Sequence, residues 1–343
     1  MRFLKTALCA AVTFTAMASA MTMGAQASTL DDVKAHGAVK CGVPGPTPGF
    51  AYTDNDGKAK GFNVDLCRAV AAAIFGDPSK FETTILGPTQ NLTTLAAGGI
   101  DLLVSNVTWT VNRDNGAGNE FTQVTFYDGQ GFVVPKASGV TSVKDLDGAT
   151  ICVAQGTTTE LNVADYFTAH DMKYNLLTFA DWDAVRVAYD QGRCDAWSLD
   201  RSGLAARVLS LTKPDDHIIL PDTISKEPLG PVVRQGDDQW AHVVKWAIYA
   251  MISAEENGVT SQNVDDELKN TKNAEVKRLL GADGDIGPKL GLSKDWAYNI
   301  IKTVGNYGEI YDRNVGEQSP LHLVRGANRL WTDGGLMIAP AFR

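Results

Sequence analysis

The amino-acid sequence predicts an α/β protein built as two doubly wound lobes, the second inserted into the first. Three observations lead there. The chain has 343 residues, of which 44% are hydrophobic and 21% charged, an ordinary folded-chain composition at a length above the ~100–200 residues of one domain. Strand and helix patterns alternate over short links in two separate runs. Extended segments at 125–134 and 226–233 flank the second run and are suited to cross between lobes.

The N-terminus carries Arg2 and Lys5, an apolar small-residue stretch to Met23, and Ala25-Gln26-Ala27 before Ser28, the three parts of a secretory signal peptide. A membrane anchor fits less well, because Thr13, Thr15, Ser19, Thr22 and Gly24 break the stretch. A cut after Ala27 leaves 316 residues and 29 cationic against 40 anionic side chains, so the formal charge moves from −9 to −11. With no dense basic run, nucleic acid is a poor partner and none is expected. Four cysteines remain. Cys41, Cys67, Cys152 and Cys194 allow three pairings; joining Cys41 to Cys67 and Cys152 to Cys194 would staple neighbours within each lobe. Four buried thiols is the alternative, and no C-x-x-C or clustered His suggests a metal.

In the first run, residues 39–43 read as a strand, followed by the turn-rich 44–49 and the turn Asp54-Asn55-Asp56-Gly57. Asn63 or Asp65 can cap a helix on which Val64, Leu66, Ala69, Val70 and Ala73 recur at helical spacing. A strand at 81–86, a helix at 91–97 and a strand at 100–105 follow. The second run repeats the pattern with strands at 150–154, 174–179 and 196–200 and helices at 160–168 and 183–191, which argues for parallel sheets. Beyond the second crossing, helices are expected at 238–257, 264–280, 294–304 and 321–332, the last forming an extension on the first lobe.

Arg113 follows a buried strand and a hydroxyl-rich turn, the place where open α/β sheets gather ligands. Its planar guanidinium suits a bidentate carboxylate contact, and Thr108 adds donors. In the second run, Gln155-Gly156-Thr157-Thr158-Thr159-Glu160 opens a helix whose free amides favour an anion, although Thr is also an ordinary N-cap there. Asp200 ends another strand and can receive an ammonium group. A cationic anchor, an anion-binding helix start and a carboxylate together suit a zwitterion such as an α-amino acid. Phe50 and Tyr52 could wall the site, though aromatics so placed are usually core.

This order of elements resembles the periplasmic solute-binding proteins of polar amino acid ABC importers, in the general L-amino-acid-binding branch of the bacterial extracellular solute-binding proteins, family 3. The resemblance runs from Cys41-Gly42-Val43 to Leu330-Trp331. Its most specific pieces are Gly61-Phe62-Asn63-Val64-Asp65, Thr108-Trp109-Thr110, Tyr127-Asp128-Gly129-Gln130-Gly131-Phe132, Gly192-Arg193-Cys194-Asp195-Ala196 and Ser225-Lys226-Glu227-Pro228-Leu229-Gly230-Pro231. It implies the type II periplasmic-binding-protein fold with a two-strand hinge. Residues 1–27 would be the signal peptide, 28–130 with 227–343 the first lobe, and 131–226 the second. By the same resemblance Arg113 clamps the ligand α-carboxylate with Thr108 and Thr158, Asp200 and the Asn106 backbone hold the α-ammonium, and Phe50 faces the ligand side chain. Expected partners are an L-amino acid and an inner-membrane ABC permease, for a periplasmic monomer without cofactor or metal.

The rival class is an exported enzyme on the same fold, a dehydratase acting on an amino-acid precursor, with Glu160 or Asp200 as general acid or base. It lacks support from G-x-S-x-G, H-E-x-x-H or a phosphate-binding glycine loop, none of which occurs, and His36, His170, His217, His242 and His322 are scattered singly.

Overall fold

A computed structural model describes residues 28–116 and 118–343; the predicted signal peptide lies outside them. The outer lobe holds a five-stranded sheet in the order Phe81–Ile85, Val39–Val43, Leu102–Leu103, Val232–Arg234, Asn119–Phe121. The inserted lobe repeats it as Asn175–Phe179, Thr150–Ala154, Ala196–Asp200, Gln130–Pro135, His217–Ile219. In each sheet the first three strands are parallel, and the fourth runs antiparallel to both neighbours. The expectation of parallel sheets is corrected accordingly. The fourth strand is the segment that has just crossed from the other lobe, so it enters the sheet from the hinge end, opposite to strands reached through a returning helix.

The crossings pair with each other: Phe126–Asp128 lies antiparallel to Glu227–Leu229, with Asp128 opposite Glu227. This two-strand ribbon connects the lobes.

The helix Phe62–Phe75 begins differently from its sequence signature. Its N-cap is Gly61, at φ 123°, and a Cβ there would sit 2.2 Å from the Phe50 carbonyl oxygen, so only glycine fits. The Phe62 and Asn63 amides donate to the carbonyls of Gly49 and Phe50. With those orphan donors satisfied by backbone, Asn63 and Asp65 are not caps. Both are buried inside the helix. Asn63 donates to the Asn106 side chain at 2.7 Å, while Asp65 accepts from Arg68, Arg313 and Asn314.

The core of the outer lobe is completed from the C-terminal third. Trp240, Trp296, Tyr307 and Tyr311 are fully buried in the same cluster as Phe50 and Phe62, with Tyr307 and Tyr311 edge-on to Phe62. The predicted helix at 264–280 is two helices, Val264–Asn270 and Ala274–Leu279. The expected helix at 321–332 is absent. That stretch is irregular, with short 3₁₀ turns at Gly326–Asn328 and Trp331–Asp333. It exchanges helical bonds for tertiary ones: the Asn328 side chain accepts from the Tyr127 amide at 2.6 Å and donates to the Tyr127 carbonyl at 3.0 Å, binding a hinge strand as a neighbouring strand would. Cys41 is joined to Cys67 and Cys152 to Cys194, with Cα separations of 6.4 and 5.8 Å.

Asp65 is a buried charge whose three partners come from two helices. Asp65→Ala leaves Arg313 and Asn314 without their carboxylate, and because Arg313 is exposed enough to turn to water a loss of about 1–3 kcal/mol is expected. Urea unfolding of the variant should show a lower midpoint with the slope unchanged.

Candidate functional site

Strand ends and helix starts from both lobes converge on one small cavity, lined among others by Asn106, Thr108, Arg113, Thr158, Trp182 and Asp200. Five of the six predicted ligand-binding residues are therefore brought together. The sixth is not. Phe50 is 0% exposed and packs edge-on against Phe62 and Phe126, with ring centroids 6.4 and 5.6 Å away. It belongs to the outer-lobe core, because the turn 44–49 folds it inward beneath the start of the helix Phe62–Phe75.

Arg113 is placed by local structure. Thr110 caps the short helix Val111–Asn115, accepting from the Arg113 amide at 3.3 Å, and the guanidinium folds back to donate to the Thr108 carbonyl at 3.1 Å. Burial lowers the Arg113 pKa against the opposing pull of Glu227 and Asp200, an arginine nonetheless remaining cationic. Opposite it, Thr157 caps the helix Thr158–Ala169 by accepting from the Glu160 amide. The first-turn amides of this helix lack intrahelical acceptors and sit on the cavity wall with Thr157, Thr158 and Thr159.

Asp200 ends the strand Ala196–Asp200 and is 7% exposed. Although it stands at the N-cap position of the next helix, its carboxylate caps no amide. Burial pushes its pKa well above the usual carboxylate range, reinforced by Asp128 and Glu227 and opposed by Arg113. Asp128, at the hinge, is pushed up to about 6, mainly by burial. Asp200 thus shares the cavity with one guanidinium, that of Arg113, while Asp128 and Glu227 add negative potential at Asp200, so carboxylates outnumber the cation. A cation supplied from outside would relieve that imbalance.

Asn106 adopts φ 51°, a left-handed conformation uncommon for a residue with a side chain and of a kind that clusters at ligand clamps. The Asn63 side chain holds it there.

Sequence reasoning missed Glu227. It is 2% exposed and lies on the second hinge strand. One carboxylate oxygen accepts from Thr108 of the outer lobe at 2.5 Å and Thr158 of the inserted lobe at 3.2 Å. The other accepts from Ser225 at 2.5 Å and Asn162 at 2.7 Å. The two threonine oxygens are 3.3 Å apart across the cleft. Their hydroxyls are therefore committed to Glu227, and what they offer a ligand is backbone amide. Trp182 was missed as well, although Asp181-Trp182 follows a strand and opens a helix, the same signal that marked residues 155–160.

Glu160, the catalytic candidate of the rival reading, spends its carboxylate on the Gly156 amide at 2.8 Å. Among the described residues no group of three or more His, Cys, Asp or Glu is placed to hold a metal ion, and no helix is long and apolar enough to cross a membrane.

Two lobes on a two-strand hinge, meeting around a buried charged cavity, define a binding protein of the periplasmic type. The chain belongs to the bacterial extracellular solute-binding proteins, family 3, whose model matches residues 39–262. It is 54% identical over 321 residues to the general L-amino acid-binding periplasmic protein AapJ of Rhizobium johnstonii, covering 93% of this chain and 94% of that one. It is 48% identical over 328 residues to the glutamate/glutamine/aspartate/asparagine-binding protein BztA of Rhodobacter capsulatus, covering 96% and 97%. A periplasmic binding protein from Brucella ovis, solved with glutathione bound, superimposes with a TM-score of 0.90 at 50% identity over 93% of this chain and 100% of that one. With this membership the binding reading prevails over the enzyme reading: the matching family is one of solute-binding proteins, and the similar relatives are named for binding amino acids.

Replacing Glu227 by Gln keeps the shape but removes the charge and one acceptor oxygen: hydroxyl partners can turn to accept from the new amide, while every charge-assisted bond is weakened and the Asn162 amide competes for the one oxygen left. Each buried unpaired group costs about 1–3 kcal/mol. Glu227→Gln should lower the thermal midpoint and enlarge the radius of gyration in solution X-ray scattering, as contacts between the lobes weaken.

Proposed function

We propose that the chain is the substrate-binding component of an amino acid ABC transporter, capturing an L-amino acid in the periplasm by closing its lobes and delivering it to an inner-membrane permease. One observation carries this reading above the others: Arg113 from the outer lobe and Asp200 from the inserted lobe face the same buried cavity. Complementary charges set on opposite lobes match the two ends of a zwitterion. The α-carboxylate would lie between the Arg113 guanidinium and the first-turn amides of the helix Thr158–Ala169, and the α-ammonium against Asp200 and the Asn106 backbone. Since one ligand touches both lobes, it favours the closed arrangement by its differential affinity for it. The similarity to AapJ and BztA supports the ligand class.

Arg113→Ala should reduce affinity by about 3–5 kcal/mol, the cost of removing one partner of a buried charge contact, or a hundredfold and more. Calorimetry over a panel of L-amino acids reads this directly, and undiminished binding would sink the assignment.

A pH dependence follows from the raised carboxylates. Asp200 and Asp128 hold protons in the ligand-free cleft at pH values where ordinary carboxylates have lost them, while the ammonium requires ionised Asp200. Binding therefore releases a proton, and affinity falls as pH drops through the range in which the raised Asp200 carboxylate takes up its proton, by up to about tenfold per unit for one linked proton. Titration in buffers of different ionisation enthalpy at pH 6 should show proton release; uptake, or a flat profile, would contradict the role given to Asp200.

A further inference from the structure

The cavity holding Arg113 and Asp200 is small, about 40 Å³, room for roughly three waters at ~10–15 Å³ each. Beyond Trp182, which lines both spaces, the cleft opens into a second chamber of about 390 Å³ walled by residues of both lobes, including Pro46, Gly87, Gln90, Asp181 and Arg207. This is far more space than the side chain of one ordinary amino acid fills.

Arg207 is the unusual wall residue. It is 6% exposed, its guanidinium carbon lies 5.4 Å from the Trp182 ring centroid, and it reaches across the cleft to donate to the Thr47 hydroxyl at 2.7 Å and, weakly, to the Pro46 carbonyl at 3.5 Å. Its neighbouring carboxylates are engaged elsewhere: Asp181 caps its own helix through the Ala184 amide, and Asp183 pairs with Arg186. Among the described residues Arg207 has no ion-pair partner. Burial pushes its pKa down to about 10, the response of a cation lacking a counter-charge. A buried, uncompensated guanidinium with spare donors, stacked on an aromatic wall, is built to receive a carboxylate.

We propose that this chamber binds the far end of an extended ligand, an amino acid whose side chain carries a small peptide ending in a carboxylate, with Arg207 as the anchor for that terminal group. The inference rests on the amino acid reading of the inner cavity, and that reading dictates the linkage. Arg113 and Asp200 require the α-carboxylate and α-ammonium of the first residue to be free, so an extension leaves only through its side chain. A γ-glutamyl peptide fits; an α-linked peptide forfeits one of the two anchors.

Calorimetry on the full mature protein tests this with L-glutamine, γ-L-glutamylglycine, its C-terminal amide γ-L-glutamylglycinamide, and α-L-glutamylglycine. In the wild type γ-glutamylglycine should bind about tenfold or more tighter than its amide, the worth of one charge-assisted hydrogen bond, and α-glutamylglycine should bind far more weakly than either. In Arg207→Met the ratio between acid and amide should collapse to near one, whatever change is common to all ligands through loss of the Thr47 contact. Equal binding of acid and amide by the wild type overturns the proposal without recourse to the variant, as does a ratio that survives Arg207→Met. Failure of the underlying reading is separately visible: L-glutamine and every other free amino acid would then bind Arg113→Ala as well as wild type.

Discussion

The buried carboxylate of Glu227 ties together what is otherwise two separate bodies. It sits on the connecting ribbon, takes a hydroxyl from each lobe on one oxygen, and takes Ser225 and Asn162 on the other. A carboxylate out of water is tolerated only when its lone pairs are filled, and here they are filled only while Thr108 and Thr158 approach within 3.3 Å of each other. Separation of the lobes strips donors from a charge that has nowhere else to place them. The position of the ribbon and the width of the cleft are thus coupled through one side chain. Everything the cavity presents, Arg113 from one side and Asp200 from the other, is positioned relative to that coupling.

The cavity is held in an electrostatically unfinished state. Asp200 caps nothing, Asp128 and Glu227 add charge of the same sign, and Arg113 answers only part of it. Such a site is expensive to keep unless something else completes it. Both the proposed preference for a zwitterion and the expected dependence on pH follow from this imbalance.

Much of this was readable from the sequence, for identifiable reasons. Strands at 150–154 and 196–200 have the bounds observed because continuous apolar runs end at turn residues. Arg113, Thr108, Thr158 and Asp200, which the structure brings to one cavity, could be singled out because strand ends and helix starts are where an α/β sheet exposes its polar groups. What failed was long-range. Three of the four partners of Glu227 lie 65 to 119 residues away, and the fourth, Ser225, is an ordinary local contact, so nothing near it in sequence marks it as more than a hinge residue. Phe50 was misplaced because an aromatic beside a turn reads the same whether it faces a cleft or a core. The helix Tyr307–Asn314 was overlooked despite its Asn306 and Glu309 capping box, a local signal that was present. The C-terminal strap lost its predicted helix to bonds with Tyr127, a competition that local propensity does not contain.

The covalent staples have a consequence for the working cycle. Cys41 and Cys67 fasten strand to helix within the outer lobe, and Cys152 and Cys194 fasten neighbouring segments within the inserted one; neither spans the ribbon. Reduction would therefore soften each half of the molecule separately while leaving the aperture between them to be governed by solute and protons alone. Oxidising surroundings toughen the jaws without jamming them.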